Sequence, residues 1–302
     1  MNASRLFDRP LILRRRRRAA RMGAPTFLTE RVADDMADRL AATLRTFACA
    51  VDLGTPDDAV RRALAGHPRV GRLVAVDALA SAAAARGPTV VADEEMLPFA
   101  DGALDLVVSG LALQAVDDLP GTFAQIRRAL KPDGLFLAAL VGGASLTELR
   151  QSFAHAETEC EGGLSPRVAP FADVRDIGAL LQRAGFALPV TDVDRFTVRY
   201  DSPVALMHEL RRLGATNPLA ERRRTPLRRA TLMRAVEIYG ERFSDPDGRV
   251  RATVEIIWLS GWAPHESQQK PLRPGSATAR LADALGTREI PAGEKADPGR
   301  TQ

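Results

Sequence analysis

Six residues stand at the ends of short apolar runs, where a backbone turns and side chains become available for chemistry. Asp52 and Gly54 follow "FACAV", Asp77 follows "GRLVAV", Asp93 and Glu94 follow "PTVVA", and Ser109 follows "ALDLVV". Asp77 lies 23 positions after Gly54, close to the spacing at which an acidic residue meets the two hydroxyls of a ribose. Asp93 with Glu94 offers a carboxylate beside a backbone N–H, a pair that can read an adenine edge. Singly, each is weak, because a strand-terminal Asp is at least as often a helix cap or a turn residue. Four such ends in register describe an adenosyl-binding edge.

The elements that must position these residues are legible in the period of the sequence. From residue 46, runs 47–54, 71–79, 88–95, 103–113 and 134–143 are apolar on both faces, and helical stretches such as 57–66 and 120–130 separate them. That alternation indicates a parallel sheet in a doubly wound α/β domain. "LKPDGLF" (130–136) reads as a helix end, a Pro-Asp-Gly turn and a strand start, with Gly134 suited to positive φ. Beyond 144 the pattern is helical at 145–160, 173–184, 203–214 and 226–243, with strand-like 188–200 and 251–262 set among them. The expected organisation is a basic helical arm over 1–45 and a main domain over 46–266. Helical cap segments fall at about 144–186 and 202–243, and a polar, largely disordered tail occupies 267–302.

Bulk properties narrow the function classes. The 302 residues are 45% hydrophobic and 26% charged, as in an ordinary soluble protein. No window reaches the about 18–20 apolar residues of a membrane span. Neither a secretory signal nor a Cys framework is visible, since Cys49 and Cys160 form no metal set, and a reducing, cytoplasmic setting is expected. Peripheral membrane association stays open. The net charge of +4 is carried almost wholly by arginine, lysine occurring only at 131, 270 and 295. Aromatics do not interleave with the basic runs, so no nucleic-acid partner is expected. "LFDRPLILRRRRRAARM" (6–22) reads as a solvated helix face packed by its apolar residues. It could instead be an arm that closes over a pocket or holds an acidic partner, or an import presequence, against which Asp8 counts.

The order "VDLG", "VAVDA" and "ADEEMLPFADGALDLVVSGLALQAVDDLP" (92–120), ending in "ALKPDGLFLAALVGG", resembles class I S-adenosylmethionine (SAM)-dependent methyltransferases of the type-11 group. "SLTELRQSFAHAETECEGGLSPRVAPFADVRDIGALLQRAGF" (145–186), "GWAPHESQ" (261–268) and the leader are similar to its complex I assembly factor five branch. More distantly, "GGASLTEL" and "ELRRLGATN" (209–217) resemble malonyl-acyl-carrier-protein methyltransferases of biotin synthesis. The resemblance implies a Rossmann-like, mostly parallel seven-stranded sheet with extra capping helices. It implies SAM as cofactor, contacted by Asp52, Gly54, Asp77, Asp93, Glu94 and Ser109. It also implies arginine modification, with an iron–sulfur subunit of NADH:ubiquinone oxidoreductase as partner. Alternatives are a non-catalytic assembly chaperone and a carboxyl methyltransferase for a small or carrier-bound acid.

Two departures bear on the chemistry. Where relatives read Asp-Leu-Gly-Cys-Gly-x-Gly, this chain has Pro56 for the second glycine and Asp58 for the third. The proline ring occupies the cofactor's approach and removes an N–H, although proline suits the first turn of a helix. Asp57 and Asp58 suit a helix N-terminus and could cap it. Gln114 and Ala115 stand where relatives commonly show His-Trp.

Methyl transfer needs alignment and exclusion of water more than a base, and no catalytic residue is named. Hydroxylation needs an oxidant and usually a metal. The four histidines are scattered, and His155 and Glu157, two apart on a helix, point to different faces, so no metal site is assigned. Glu161, Ser165 and Arg167, in a Gly-, Pro- and Arg-bearing loop, are candidates to touch a substrate. "ERRRTPLRR" (221–229) reads as a solvated loop and helix start, or a dock for an acidic surface. Trp258, Trp262 and Phe196 read as core.

Overall fold

The computed structural model describes residues 5–79, 88–269 and 279–288. The chain falls into two compact units, Met1–His265 and Glu266–Gln302. The first holds one seven-stranded sheet built from β1 (Phe47–Leu53), β2 (Val70–Val76), β3 (Thr89–Val90), β4 (Leu104–Gly110), β5 (Leu130–Val141), β6 (Ala187–Tyr200) and β7 (Val250–Trp262). Their order is β3-β2-β1-β4-β5-β7-β6. Pairing is parallel through β5, while β7 runs antiparallel to both neighbours. Strand order reverses between β1 and β4, and their carboxyl ends flank the crevice in which ligands of doubly wound sheets bind.

Both faces of the sheet are covered, which is why its central strands read as unbroken apolar runs. Val107 and Phe136 face α4 (Leu119–Ala129) and α6 (Val174–Arg183), meeting Phe123, Ile126, Ile177 and Leu181 in one core. Leu106, Val108 and Trp258 face the other way, against Val32, Met36 and Leu40 of α2 (Phe27–Ala41) and Val60 of α3 (Ala59–Leu64). A third cluster joins α5 (Thr147–Glu161), α7 (Pro203–Arg212) and α8 (Arg229–Phe243) through Phe153, Leu206, Ile238 and Tyr239. This is the helical cap. Of its three helices, α7 starts on a side-chain cap, Ser202, which accepts from the Ala205 N–H at 3.1 Å with Pro203 next in line.

Helix α1 (Arg9–Met22) is capped by Asp8, which accepts from the Leu11 N–H at 3.0 Å, and stops at Gly23 with φ 67°. It is no free-standing solvated face. Phe7 bridges Leu219 and packs with Ile12 and Ala169. Arg15 donates to the carbonyls of Thr216 (2.7 Å) and Asn217 (2.5 Å), and Arg222 pairs with Asp8 at 2.9 Å. Two arginines of 221–229, Arg222 and Arg223, are thus spent inside the chain, since Arg223 pairs with Glu161.

Two local expectations are corrected. In "KPDG" the left-handed residue is Asp133, with φ 67°, rather than Gly134. Pairing slips from Leu104–Leu130 to Leu106–Leu135, so residues 131–134 leave the ladder, and the left-handed residue falls one position early. The third strand is only Thr89–Val90. Asp93 accepts from the Glu95 N–H at 3.0 Å, an Asx turn that competes with continued strand. In the second unit, a short helix α9 (Leu281–Leu285) lies within "ATARLADAL" and ends at Gly286 with φ 62°. Most of the tail expected over 267–302 lies outside the described residues.

Candidate functional site

The site is built where β1, β2 and β4 end and where the turn after β3 begins. Gly54 leaves β1 with φ 73°, a conformation glycine adopts without steric cost. A Cβ there would come within 2.8 Å of Glu94 Oε1 and 3.0 Å of the Ala112 Cβ, so the backbone passes directly beneath Glu94. The 93–97 turn is pinned by α4. Gln125 donates to the Glu95 carbonyl at 2.8 Å and accepts from the Leu97 N–H at 3.0 Å. Thr122 reaches the Glu94 carbonyl at 3.3 Å. These contacts bring Glu94, only 2% exposed, beside Asp77, 4% exposed.

Three of the strand-end carboxylates meet arginines of the N-terminal helix. Arg9 Nη2 donates to Asp93 Oδ1 at 2.7 Å and also to Glu94 Oε2. Arg16 Nη2 donates to Asp77 Oδ2 at 3.0 Å and lies 3.4 Å from the Gly54 carbonyl. Its Nη1 is 3.5 Å from Glu94 Oε1. Partial burial raises the Asp93 pKa, but the Arg9 hydrogen bond and the Glu95 N–H outweigh it and hold the carboxyl below its usual range. Burial lowers the Arg9 pKa and its two carboxylates raise it, with a net rise. Sequence reasoning missed Arg9 and Arg16 as site residues. The signal was their seven-residue spacing, which puts both on one face of α1.

Asp52 is fully enclosed. Its Oδ1 accepts the Thr55 hydroxyl, while Oδ2 has no hydrogen-bond partner, only Arg61 at 3.8 Å. Burial raises its pKa to about 6 against the lowering effects of Thr55 and Arg61. Thr55 Oγ1 also accepts from the Gly110 N–H at 3.0 Å, tying the loop to β4. Asp57, rather than Asp58, engages the start of α3. It accepts from the Ala59 N–H at 2.9 Å and from the Thr29 hydroxyl. Asp58 faces outward to Arg62 at 3.6 Å.

Four expected contacts are placed differently. Ser109 is wholly buried and donates to the Leu53 carbonyl at 2.7 Å, because a buried hydroxyl needs a partner; it cross-links β4 to β1. Ser165 and Arg167 turn inward to Glu157, a residue 1% exposed on α5. The Ser165 N–H and hydroxyl each lie 2.6 Å from its oxygens, as does Arg167 Nε. Glu161 accepts from Thr231 at 2.6 Å and pairs with Arg223. This loop borders a cleft of about 320 Å³ lined by Glu161, Leu164, Ser165 and Arg228, among others. Its three polar candidates are anchors of the loop. His155 turns away from Glu157 to meet Arg242 at 2.7 Å. Gln114, in the position of the missing aromatic pair, donates to the Leu111 carbonyl at 2.7 Å and leaves a buried Oε1 unpaired. Among the described residues, no three His, Cys, Asp or Glu side chains gather as a metal site, and no helix is long and apolar enough to cross a membrane.

Comparison with known proteins places this geometry. Residues 51–138 match the family model described as a methyltransferase domain. The human protein named "Arginine-hydroxylase NDUFAF5, mitochondrial" is 41% identical over 287 residues, covering 92% of this chain and 83% of that protein. The "Malonyl-[acyl-carrier protein] O-methyltransferase" of Halorhodospira halophila is 34% identical over 253 residues, covering 81% and 84%. Among solved structures, the YcgJ protein of Bacillus subtilis superposes with a TM-score of 0.53 at 13% identity, over 76% of this chain and 98% of that one. This last likeness establishes the fold alone. A switch-point edge of acidic strand ends, carried by a sheet of this order, agrees with the sequence relationships. The chain belongs to the NDUFAF5 family of methyltransferase-fold proteins.

Proposed function

We propose that this chain is a SAM-binding, methyltransferase-like protein. It acts on an arginine-bearing protein during respiratory complex I assembly, an iron–sulfur subunit of NADH:ubiquinone oxidoreductase being the partner. The observation that carries the reading is the convergence of Asp77, Asp93 and Glu94 at the carboxyl edge of the sheet, where Arg9 and Arg16 bridge them. The donor set fits the cofactor's adenosine half. Asp77 and Glu94 can accept from ribose hydroxyls, and Asp93 with its turn backbone can face the adenine. The Cβ-free surface of Gly54 lets a ligand lie close to the backbone. Asp52 Oδ2, which has no hydrogen-bond partner, lies 3.8 Å from Arg61. When bound, SAM would supply a sulfonium-activated methyl group. The chain's residues orient that group and exclude water around it.

The family name of the human relative supports arginine as the side chain acted upon. Calorimetric titration with SAM tests the cofactor, and recovery of a complex I subunit from a mild pull-down tests the partner. A well-folded protein that binds no SAM removes the enzyme reading, and a pull-down empty of complex I subunits removes the assembly reading. We place the protein in the cytoplasm, in keeping with its two free cysteines.

A second reading, a non-catalytic assembly chaperone, is favoured by the loop itself. Pro56 replaces an N–H donor, and Thr55 and Asp57 are locked into the chain's own hydrogen bonds. A carboxyl methyltransferase acting on a small or carrier-bound acid is favoured by the malonyl-acyl-carrier relatives.

A further inference from the structure

We propose that α1 is a strap that competes with the cofactor for the strand-end carboxylates, and that its release also frees the loop over 162–173. The inference rests on the SAM reading above. Glu94 and Asp77 are more than nine-tenths buried, and buried carboxylates demand a compensating cation. Arg9 and Arg16 supply it from a helix otherwise attached to a different part of the molecule. The same oxygens, Asp77 Oδ2 and Glu94 Oε1, are those a ribose would need.

SAM would meet these oxygens through neutral ribose hydroxyls, and its sulfonium and ammonium charges against one carboxylate replace only one of the two arginine charges. The demethylated product, S-adenosylhomocysteine, has lost the sulfonium and displaces the arginines less readily. Two buried polar atoms at this contact lack hydrogen-bond partners, Arg9 Nε and the Oδ2 of Asp117, whose Oδ1 accepts from the Phe7 N–H at 2.9 Å. Such orphans mark a contact that can be given up.

The strap is continuous with the loop. Arg15, adjacent to Arg16, holds the carbonyls of Thr216 and Asn217. Asn217 in turn donates through Nδ2 to the Pro166 carbonyl at 2.6 Å. Displacing α1 therefore strains or breaks the chain of bonds from Asp77 to Pro166.

The test is titration of the full chain with SAM and S-adenosylhomocysteine, for the wild type, Arg16→Ala and Arg16→Gln, with hydrogen exchange read over α1 and 162–173. Both variants are expected to bind SAM about tenfold more tightly than the wild type, equivalent to about 1.4 kcal/mol. SAM added to the wild type is expected to speed exchange in α1 and in the loop together. Equal or weaker SAM binding by the variants overturns the strap and makes Arg16 a bystander or a cofactor ligand. Slower exchange in α1 on adding SAM overturns it as well. No SAM binding by folded variants overturns the cofactor reading itself, and the competition with it.

Discussion

Arg16 donates to Asp77 across 3.0 Å, joining residues 61 positions apart. The pair puts the end of β2, expected to meet a ribose, in contact with a cation from the arm. Arg9 does the same for Asp93 and Glu94. The acidic edge and the basic arm are therefore two halves of one electrostatic unit.

Asp77→Ala is expected to remove measurable SAM binding while leaving the fold intact. Its Oδ1 caps Leu79 at 2.8 Å, a loss of about 1 kcal/mol, and its Oδ2 gives up the Arg16 pair, after which Arg16 keeps Glu94 at 3.5 Å. Asp93→Ala, at a residue whose side chain is 37% exposed, should weaken binding by less than about tenfold. Calorimetry on both variants checks the ranking.

Pro56→Gly with Asp58→Gly is expected to raise SAM affinity and to lower the melting temperature. The glycines restore an N–H and open the approach, but each adds unfolded-state entropy worth about 0.5–1 kcal/mol. Unchanged affinity in a folded double variant would clear the loop as the obstacle and leave the arm.

Asp52 sets a pH dependence. Its ordinary value of 3.8 is raised to about 6 in the folded chain. As pH rises from 4 to 6 the unfolded chain releases this proton and the folded chain keeps it, so stability falls across that window. The loss is complete above it and amounts to at most about 3 kcal/mol. Asp52→Asn should therefore raise the urea midpoint at pH 7 more than at pH 4. A uniform shift at both pH values would show that Asp52 titrates alike in the folded and unfolded chain.

Glu157→Ala is expected to destabilise the protein by about 3 kcal/mol, because it strands Arg167 in a mostly buried position. Burial raises the Glu157 pKa, but the Ser165 and Arg167 contacts outweigh it and hold it below the ordinary value. The stability these contacts add is present above the ordinary value and is lost as pH falls through the folded one. Proteolysis within 162–171 should accelerate in the variant, with Arg167→Ala weaker and the double variant no worse than Glu157→Ala.

Much of this architecture was legible from period and punctuation. The strands at 188–200 and 251–262 and the helices at 145–160 and 173–184 were each placed to within two residues of β6, β7, α5 and α6. Their apolar periodicity agrees with their burial, and Asp173 caps α6 by accepting from the Arg175 N–H at 2.8 Å. The strand ends were legible because Asp52, Asp77 and Asp93 each terminate an apolar run. What pairs with them was not, because Arg9 and Arg16 are remote in sequence and an arginine's partner is set by tertiary geometry. For Ser109, Ser165 and Arg167 the partners were not legible, for a related reason. Their residue types suit ligand contact, but burial beside Leu53 and Glu157 spends their donors on the chain itself.

The bridge between Phe7 and Leu219 carries a consequence for the order of events during synthesis. The parallel half of the sheet is complete in sequence by Val141, whereas the segment that seats the arm is made nearly 80 residues later. At about 5–20 residues per second that interval is of order 4–16 s. A nascent chain would expose its acidic crevice before it possessed the means to latch its own N-terminus over it. The first occupant of the crevice would then be whatever cation the surroundings offer.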